Sequence, residues 1–158
     1  MANKRILIVY YSRTGITKKV ATEMSGLLGA DIEEIIDLKN RSGMIVYLTG
    51  GRDAMRGYLT DIEPIKRSPA EFDMVILGSP VWGGTIAPAL RTYIENNKDK
   101  IKSAAFFCTL GGKNPANTFN AMQTVSGKEP VATLWLSARD VKKDNHKEEL
   151  KRFVREIE

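Results

Sequence analysis

Val9-Tyr10-Tyr11-Ser12-Arg13-Thr14-Gly15-Ile16-Thr17 joins an apolar run to the start of a helical pattern. Ser12, Thr14 and Thr17 offer three hydroxyl donors within six residues. The first backbone N–H groups of a helix lack intrahelical acceptors, and the helix dipole favours an anion beside them. Gly15 lets the chain turn sharply and approach a ligand closely. The stretch is therefore suited to a phosphate held by hydroxyl and backbone donors. It is neither a Walker A sequence nor a Gly-x-Gly-x-x-Gly fingerprint. Ser, Thr and Gly at a strand-to-helix junction also serve as ordinary caps, so the loop alone leaves both readings open.

Ile6 to Tyr10, before the loop, is a continuous apolar run, as expected of a strand buried on both faces of a parallel sheet. After it, Val20, Ala21, Met24, Leu27 and Leu28 recur at helical spacing, and Gly29 ends the helix. Ile32–Ile36 reads as a second, weaker strand and Phe72–Gly78 as a third. Ser79-Pro80-Val81-Trp82-Gly83-Gly84-Thr85 is expected to be the loop that follows. A helix with Pro88 in its first turn comes next, then a fourth strand over Ser103–Thr109. Leu110–Pro115 is its loop, followed by a helix over Ala116–Val125, a fifth strand over Val131–Leu136 and a closing amphipathic helix over His146–Ile157. Ser42–Gly57 fits a helix face weakened by Gly50-Gly51. Alternating strands and helices predict one domain, residues 1–158, with a parallel sheet between helical layers. Ligands in such sheets bind at the carboxyl ends of the strands. The loops after strands one, three and four all lie there.

Composition narrows the rest. A hydrophobic share of 42% and a charged share of 27% are globular values. No apolar run approaches the roughly 18 residues of a membrane span, and Met1–Arg5 leads straight into a strand, so neither a membrane nor a signal peptide is expected. A single cysteine, Cys108, fits a cytoplasmic setting. The chain is basic, with net charge +5 and a pI near 9.3. Its cations are spread without a recognition helix or aromatic strip, so no nucleic acid is expected. His146, the only histidine, reads as a surface residue at a helix start, and Cys108 as a small buried hydrophobe. No metal-ligand spacing and no catalytic triad emerge.

Trp82, between Pro80 and Gly83-Gly84, reads as an exposed flat platform, and Thr109-Leu110-Gly111-Gly112 can bring backbone groups to a ring edge. A phosphate at one end and a flat ring at the other describe a mononucleotide such as a flavin. At this point the chain resembles the flavodoxin family. Ser12-Arg13-Thr14-Gly15-Ile16-Thr17 is similar to its phosphate loop, Gly78–Gly84 to its aromatic flavin loop and Phe107–Gly112 to its second flavin loop. The resemblance spans essentially the whole chain, in the short form without an insertion in the last strand. It implies a three-layer α/β sandwich with a five-stranded parallel sheet in the order 2-1-3-4-5. It implies FMN as cofactor, its phosphate held by Ser12, Arg13, Thr14, Gly15, Ile16 and Thr17. Ser79, Pro80, Val81, Trp82, Gly83 and Gly84 would flank the isoalloxazine. Trp82 would stack on one face, and Gly83 would lie near N5, where a glycine peptide can turn over. Thr109, Leu110, Gly111 and Gly112 would meet the pyrimidine side. Many relatives have an aromatic where Leu110 stands, so the outer ring face is expected to be open.

The implied function is low-potential electron transfer between redox partner proteins or to a small-molecule acceptor. Flavodoxins are typically acidic and this chain is basic, which implies either partners of different charge or a role other than the usual electron shuttle. The alternative is an FMN-dependent NAD(P)H:quinone-type reductase. A third class is a flavin-free binding or regulatory module on the same fold.

Overall fold

A computed structural model describes residues 4–39, 52–54, 56–112 and 114–158. The Ser42–Gly57 segment lies outside the described residues except near its end. The run Ile6–Tyr10 forms β1, buried at every position. Helix α1 follows over Ile16–Leu28, and β2 over Asp31–Glu34. After a stretch bridged at Asp37 and Ile62, β3 spans Met74–Trp82. It turns into a two-residue strand, β4, Thr85–Ile86. Then come α2 (Pro88–Asn97), β5 (Ala104–Leu110), α3 (Ala116–Ser126), β6 (Thr133–Ser137), α4 (Ala138–Lys142) and α5 (Lys147–Ile157).

The sheet order is β2-β1-β3-β5-β6, all parallel, with β4 antiparallel to the end of β3. Counting the five long strands alone, this is the expected 2-1-3-4-5. Strand periodicity divides the core into two layers. Ile8, Tyr10, Ile76, Phe107 and Leu134 face α1 and α5, where Met24, Leu150 and Phe153 are buried. Leu7, Val9, Leu77 and Phe106 face α2, with Leu90, Tyr93 and Ile94. The buried Tyr93 hydroxyl has no hydrogen-bond partner among the described residues, and burial pushes its ionisation upward.

Strand β3 is longer than its sequence suggests. Ser79, Pro80, Val81 and Trp82 continue the strand rather than forming a loop. β1 stops pairing at Gly78, so beyond it β3 has β5 alone as a parallel neighbour, with Ser79 opposite Cys108 and Pro80 opposite Thr109. The side of Pro80 that lacks an N–H faces a position β1 has vacated, which removes the usual objection to proline in a central strand.

Candidate functional site

The carboxyl ends of β1, β3 and β5 surround a cavity of about 200 Å³. Its wall is built from Arg13 and Thr14 on the first loop, Ile16 and Thr17 at the start of α1, Pro80, Val81 and Trp82 at the end of β3, and Thr109, Leu110 and Gly111 at and just beyond the end of β5. Three loops singled out from sequence thus meet at one place. Arg13 is the one charged residue in that wall, so the site is not free of cations.

The first loop is held by its own hydroxyls. Gly15, at φ 94°, precedes α1 in the left-handed conformation that favours glycine. Ser12 Oγ accepts from the Gly15 N–H at 3.1 Å and the Lys18 N–H at 3.2 Å. That leaves the Ile16 and Thr17 amides of the first helical turn for a ligand. Thr17 is buried, and its Oγ1 lies 2.8 Å from Thr109 Oγ1. The pair ties the loop after β1 to the end of β5, 92 residues away.

The second wall is a hairpin. Trp82 pairs with Thr85, and only Gly83 and Gly84 connect them. Both have positive φ, 56° and 79°, as a two-residue type I′ turn requires. Ser79 is fully buried, and its Oγ donates to the Pro80 carbonyl at 2.7 Å and accepts from the Ala87 N–H at 3.0 Å. It fastens the start of α2 to β3 and does not reach the cavity wall. Ser12, Gly15, Gly83, Gly84 and Gly112 also stand outside that wall. They shape it through turns and capping bonds.

Trp82 corrects the sequence reading. It is 7% exposed rather than an open platform, and its ring meets Tyr11 edge-on with centroids 5.4 Å apart. The sliver that remains faces the cavity. Pro and Gly neighbours suggested a loop, whereas β3 carries the indole into the layer under α2. Leu110 is buried as well, at 3%. Beyond it Gly111 and Gly112 are exposed, and a Cβ on either would meet nothing within 4 Å. The cavity is open on that side.

Ala138 is the wall residue that sequence reading missed. Helix α4 begins there, capped by Ser137 Oγ accepting from the Asp140 N–H at 3.0 Å. The signal was present: Ser137-Ala138-Arg139-Asp140 is a capping-box pattern, and it announces a helix directly after β6.

His146 is a second correction. It is fully buried, and its Nε2 lies 2.8 Å from Glu23 Oε2 on α1. Lys147 Nζ reaches the same oxygen at 3.0 Å, and Lys19 reaches Asp144 at 2.6 Å. This cluster clamps α1 to the entry of α5. Cys108 is fully buried on β5, as expected, and burial pushes its thiol up to about 12. Burial therefore disfavours its thiolate. Two larger hollows, of about 420 and 630 Å³, lie elsewhere, one between α1 and residues 63–67 and the other between residues 59–61 and α2. Neither touches the converging loops. The larger one has no element at the strand ends, and in the other Lys18 is already paired with Glu34 at 3.5 Å.

A strand-end cavity over a doubly wound parallel sheet defines a mononucleotide-binding class of α/β protein. The flavodoxin family profile matches residues 5–157, and the chain belongs to that family. Among solved structures it is similar to a flavoprotein from Lactobacillus acidophilus in complex with FMN. Identity there is 22%, coverage 90% of this chain and 97% of the other, and TM-score 0.74. It is similar to two-electron reduced flavodoxin from Megasphaera elsdenii at 18% identity, covering 94% and 97%, with TM-score 0.58. It also resembles an oxidised flavodoxin from Bacillus cereus at 20% identity, with coverage of 94% and 97% and TM-score 0.52. No curated protein sequence matches it significantly. No helix among the described residues is long and apolar enough to cross a membrane.

Proposed function

We propose that this protein binds FMN at the strand-end cavity and carries electrons at low potential between redox partners. The observation that carries the reading is the convergence of the loops after β1, β3 and β5 on one cavity, with a helix start at one end and Trp82 along a wall. Membership of the flavodoxin family and likeness to a flavoprotein solved in complex with FMN support it.

The residues present fit that cofactor. The Ile16 and Thr17 amides, the Thr14 hydroxyl and Arg13 would hold the phosphate. The edge of Trp82, Pro80 and Val81 would line one side of the ring, and Thr109 to Gly111 the other. Bound there, FMN supplies one- and two-electron redox chemistry. The protein's part is to fix the ring's position, exclude water on the Trp82 side and offer the Gly83 peptide as a turn free of side-chain hindrance. The cavity is smaller than the roughly 300–1,000 Å³ of pockets that engulf a ligand. Part of the ring would therefore project over Gly111 and Gly112, where electrons can pass to a partner.

The same opening favours a second reading, the FMN-dependent reductase, because an uncovered ring face admits a small acceptor. The charge sign bears on partners of either kind: a chain at +5 favours acidic ones.

The test is a visible spectrum of the purified protein with and without added FMN, followed by anaerobic titration with dithionite. Shifted flavin bands with quenched fluorescence support the site. A long-wavelength band at half reduction supports the carrier. Rapid bleaching by NAD(P)H without a partner enzyme supports the reductase. A protein that leaves added FMN unshifted and fully fluorescent refutes both.

A further inference from the structure

Arg91 stands in the first turns of α2, its backbone N–H donating to the Ala87 carbonyl at 3.1 Å. Its guanidinium is half-buried between the β3–β4 hairpin and the turn at Gly57. Nη2 donates to Thr85 Oγ1 at 3.4 Å, and a Cβ on Gly57 would lie 3.8 Å from both Cζ and Nη1. Nε is buried and has no hydrogen-bond partner. A guanidinium carries five N–H donors and keeps its charge. Among the described residues Arg91 makes only the one long bond to Thr85. Buried polar groups are nearly always bonded, and one that is not calls for an ion or a water.

No carboxylate neutralises this charge at close range. Glu95, one turn further along α2, is the acid that acts on it, and Glu95 pairs with Lys98 at 3.5 Å. Burial draws the guanidinium's ionisation below its usual range, so the charge is held at a cost. The surroundings add charge of the same sign. Exposed Arg56 precedes Gly57, with its own guanidinium over the Tyr58 ring at 5.9 Å. The nearby Asp53 is shared between Lys39 at 3.2 Å and Arg52 at 3.5 Å.

We propose that Arg91 anchors an oxyanion site, gripping the phosphate or carboxylate group of a small molecule with Nη1 and Nη2. The two Nη atoms form a planar fork that meets two oxygens of such a group by parallel N–H···O bonds, which an ammonium cannot reproduce. The Thr85 hydroxyl accepts from Nη2 and can donate its own hydrogen to the same anion. Thr85 pairs with Trp82 across the hairpin, and Trp82 lines the strand-end cavity, whereas Arg91 does not. The oxyanion site thus adjoins the cavity through the hairpin and does not depend on what the cavity binds.

Proton–nitrogen NMR of the full chain tests it, following the Arg91 Nε–H signal and the Gly57 and Thr85 amides. Inorganic phosphate and, separately, acetate are titrated to about 50 mM, with chloride holding the ionic strength constant. The three signals are expected to move together and saturate with a dissociation constant of about 1–10 mM. Arg91→Gln should abolish the Gly57 and Thr85 shifts, and Arg91→Lys should weaken binding about tenfold, with melting curves showing that both variants fold. Phosphate binding at least about tenfold tighter than acetate identifies a phosphate-bearing ligand, and matched curves identify a carboxylate; either supports the site. Signals that never saturate, or that respond equally to chloride, overturn it. So do Gly57 and Thr85 shifts that survive Arg91→Gln. Shifts confined to the Gly15 and Ile16 amides overturn it too, because they place the ion at the loop before α1.

Discussion

Gly78→Ala is the sharpest test of how β3 is seated. Gly78 is not in the left-handed region, so conformational freedom does not explain it. Space does. Gly78 pairs with Phe107 on β5, and a Cβ at this position would lie 2.0 Å from Cζ, 2.2 Å from Cε1 and 2.7 Å from Cε2 of that ring. Carbon atoms rest about 3.5–4.0 Å apart, so the ring must retreat by roughly 1.5 Å. Phe107 is fully buried in the layer with Ile8, Ile76 and Leu134, and has nowhere open to go. Overpacking of this kind costs about 1–3 kcal/mol, and a clash with a buried ring belongs at the top of that range. For a domain of this size about 3 kcal/mol lowers Tm by about 6–12 °C. Urea unfolding should be run on flavin-free protein, because a ligand that binds only the folded state adds its own stabilisation. Phe107→Leu alone leaves a cavity and costs about 1–2 kcal/mol. Combined with Gly78→Ala it removes the clash, so the double variant should be more stable than the sum of the singles by about 2 kcal/mol. A Gly78→Ala protein within about 0.5 kcal/mol of wild type, or strict additivity in the cycle, would refute the reasoning.

Three further outcomes follow from named contacts. Thr17→Val leaves the buried Thr109 hydroxyl without its partner and should cost about 1–2 kcal/mol, whereas Thr17→Val with Thr109→Val should recover most of it, as read by urea unfolding. Burial raises the Glu23 carboxyl, but its bonds to His146 and Lys147 outweigh this and draw it below its ordinary 4.5, while Lys19 draws Asp144 below its own 3.8. A depressed carboxyl stabilises the fold fully above its unfolded value and loses that contribution as pH falls through the folded one. Melting temperatures should therefore drop as the solution is acidified below about pH 4.5, and Glu23→Gln should flatten that drop. Cys108, buried and raised to about 12, should resist a thiol reagent at pH 8 in native protein and react at once in denaturant.

The parts legible in the sequence are those that local pattern determines. Runs such as Ile6–Tyr10 and Ser103–Thr109 are apolar enough to read as buried parallel strands, and strands stand at Ile6–Tyr10 and, shifted by one residue, Ala104–Leu110. Val20, Ala21 and Met24 gave the inner face of α1 correctly, although Leu27 on the same pattern is 48% exposed. What was illegible depended on distant neighbours. Pro80 breaks a strand pattern by any local rule, yet it is tolerated because β1 has already ended beside it. Trp82 is covered because that extended strand carries it against Tyr11. His146 opens a polar helix turn and looked solvated. Its burial comes with a contact to half-buried Glu23 on α1, 123 residues earlier in the chain.

The hydroxyls of the site show the same division more finely. From sequence, Ser12, Ser79, Thr17 and Thr109 all read as groups for a ligand. In the fold, Ser12 accepts two amides of its own turn, Ser79 fastens β3 to α2, and Thr17 and Thr109 bond to each other. These residues spend their capacity holding loops in place, and it is the backbone of the first α1 turn that is left to meet an anion. A site built this way is formed before its ligand arrives. Little ordering then has to accompany binding, so the affinity should reflect contacts rather than loop closure. Ser12→Ala separates the two contributions. It removes the acceptor that positions the Gly15 and Lys18 amides but takes no group from the cavity wall. Its cost should therefore appear as weaker FMN binding by about tenfold, roughly the worth of one capping bond, read by fluorescence titration. An affinity unchanged from wild type would mean that the loop holds its shape without that serine.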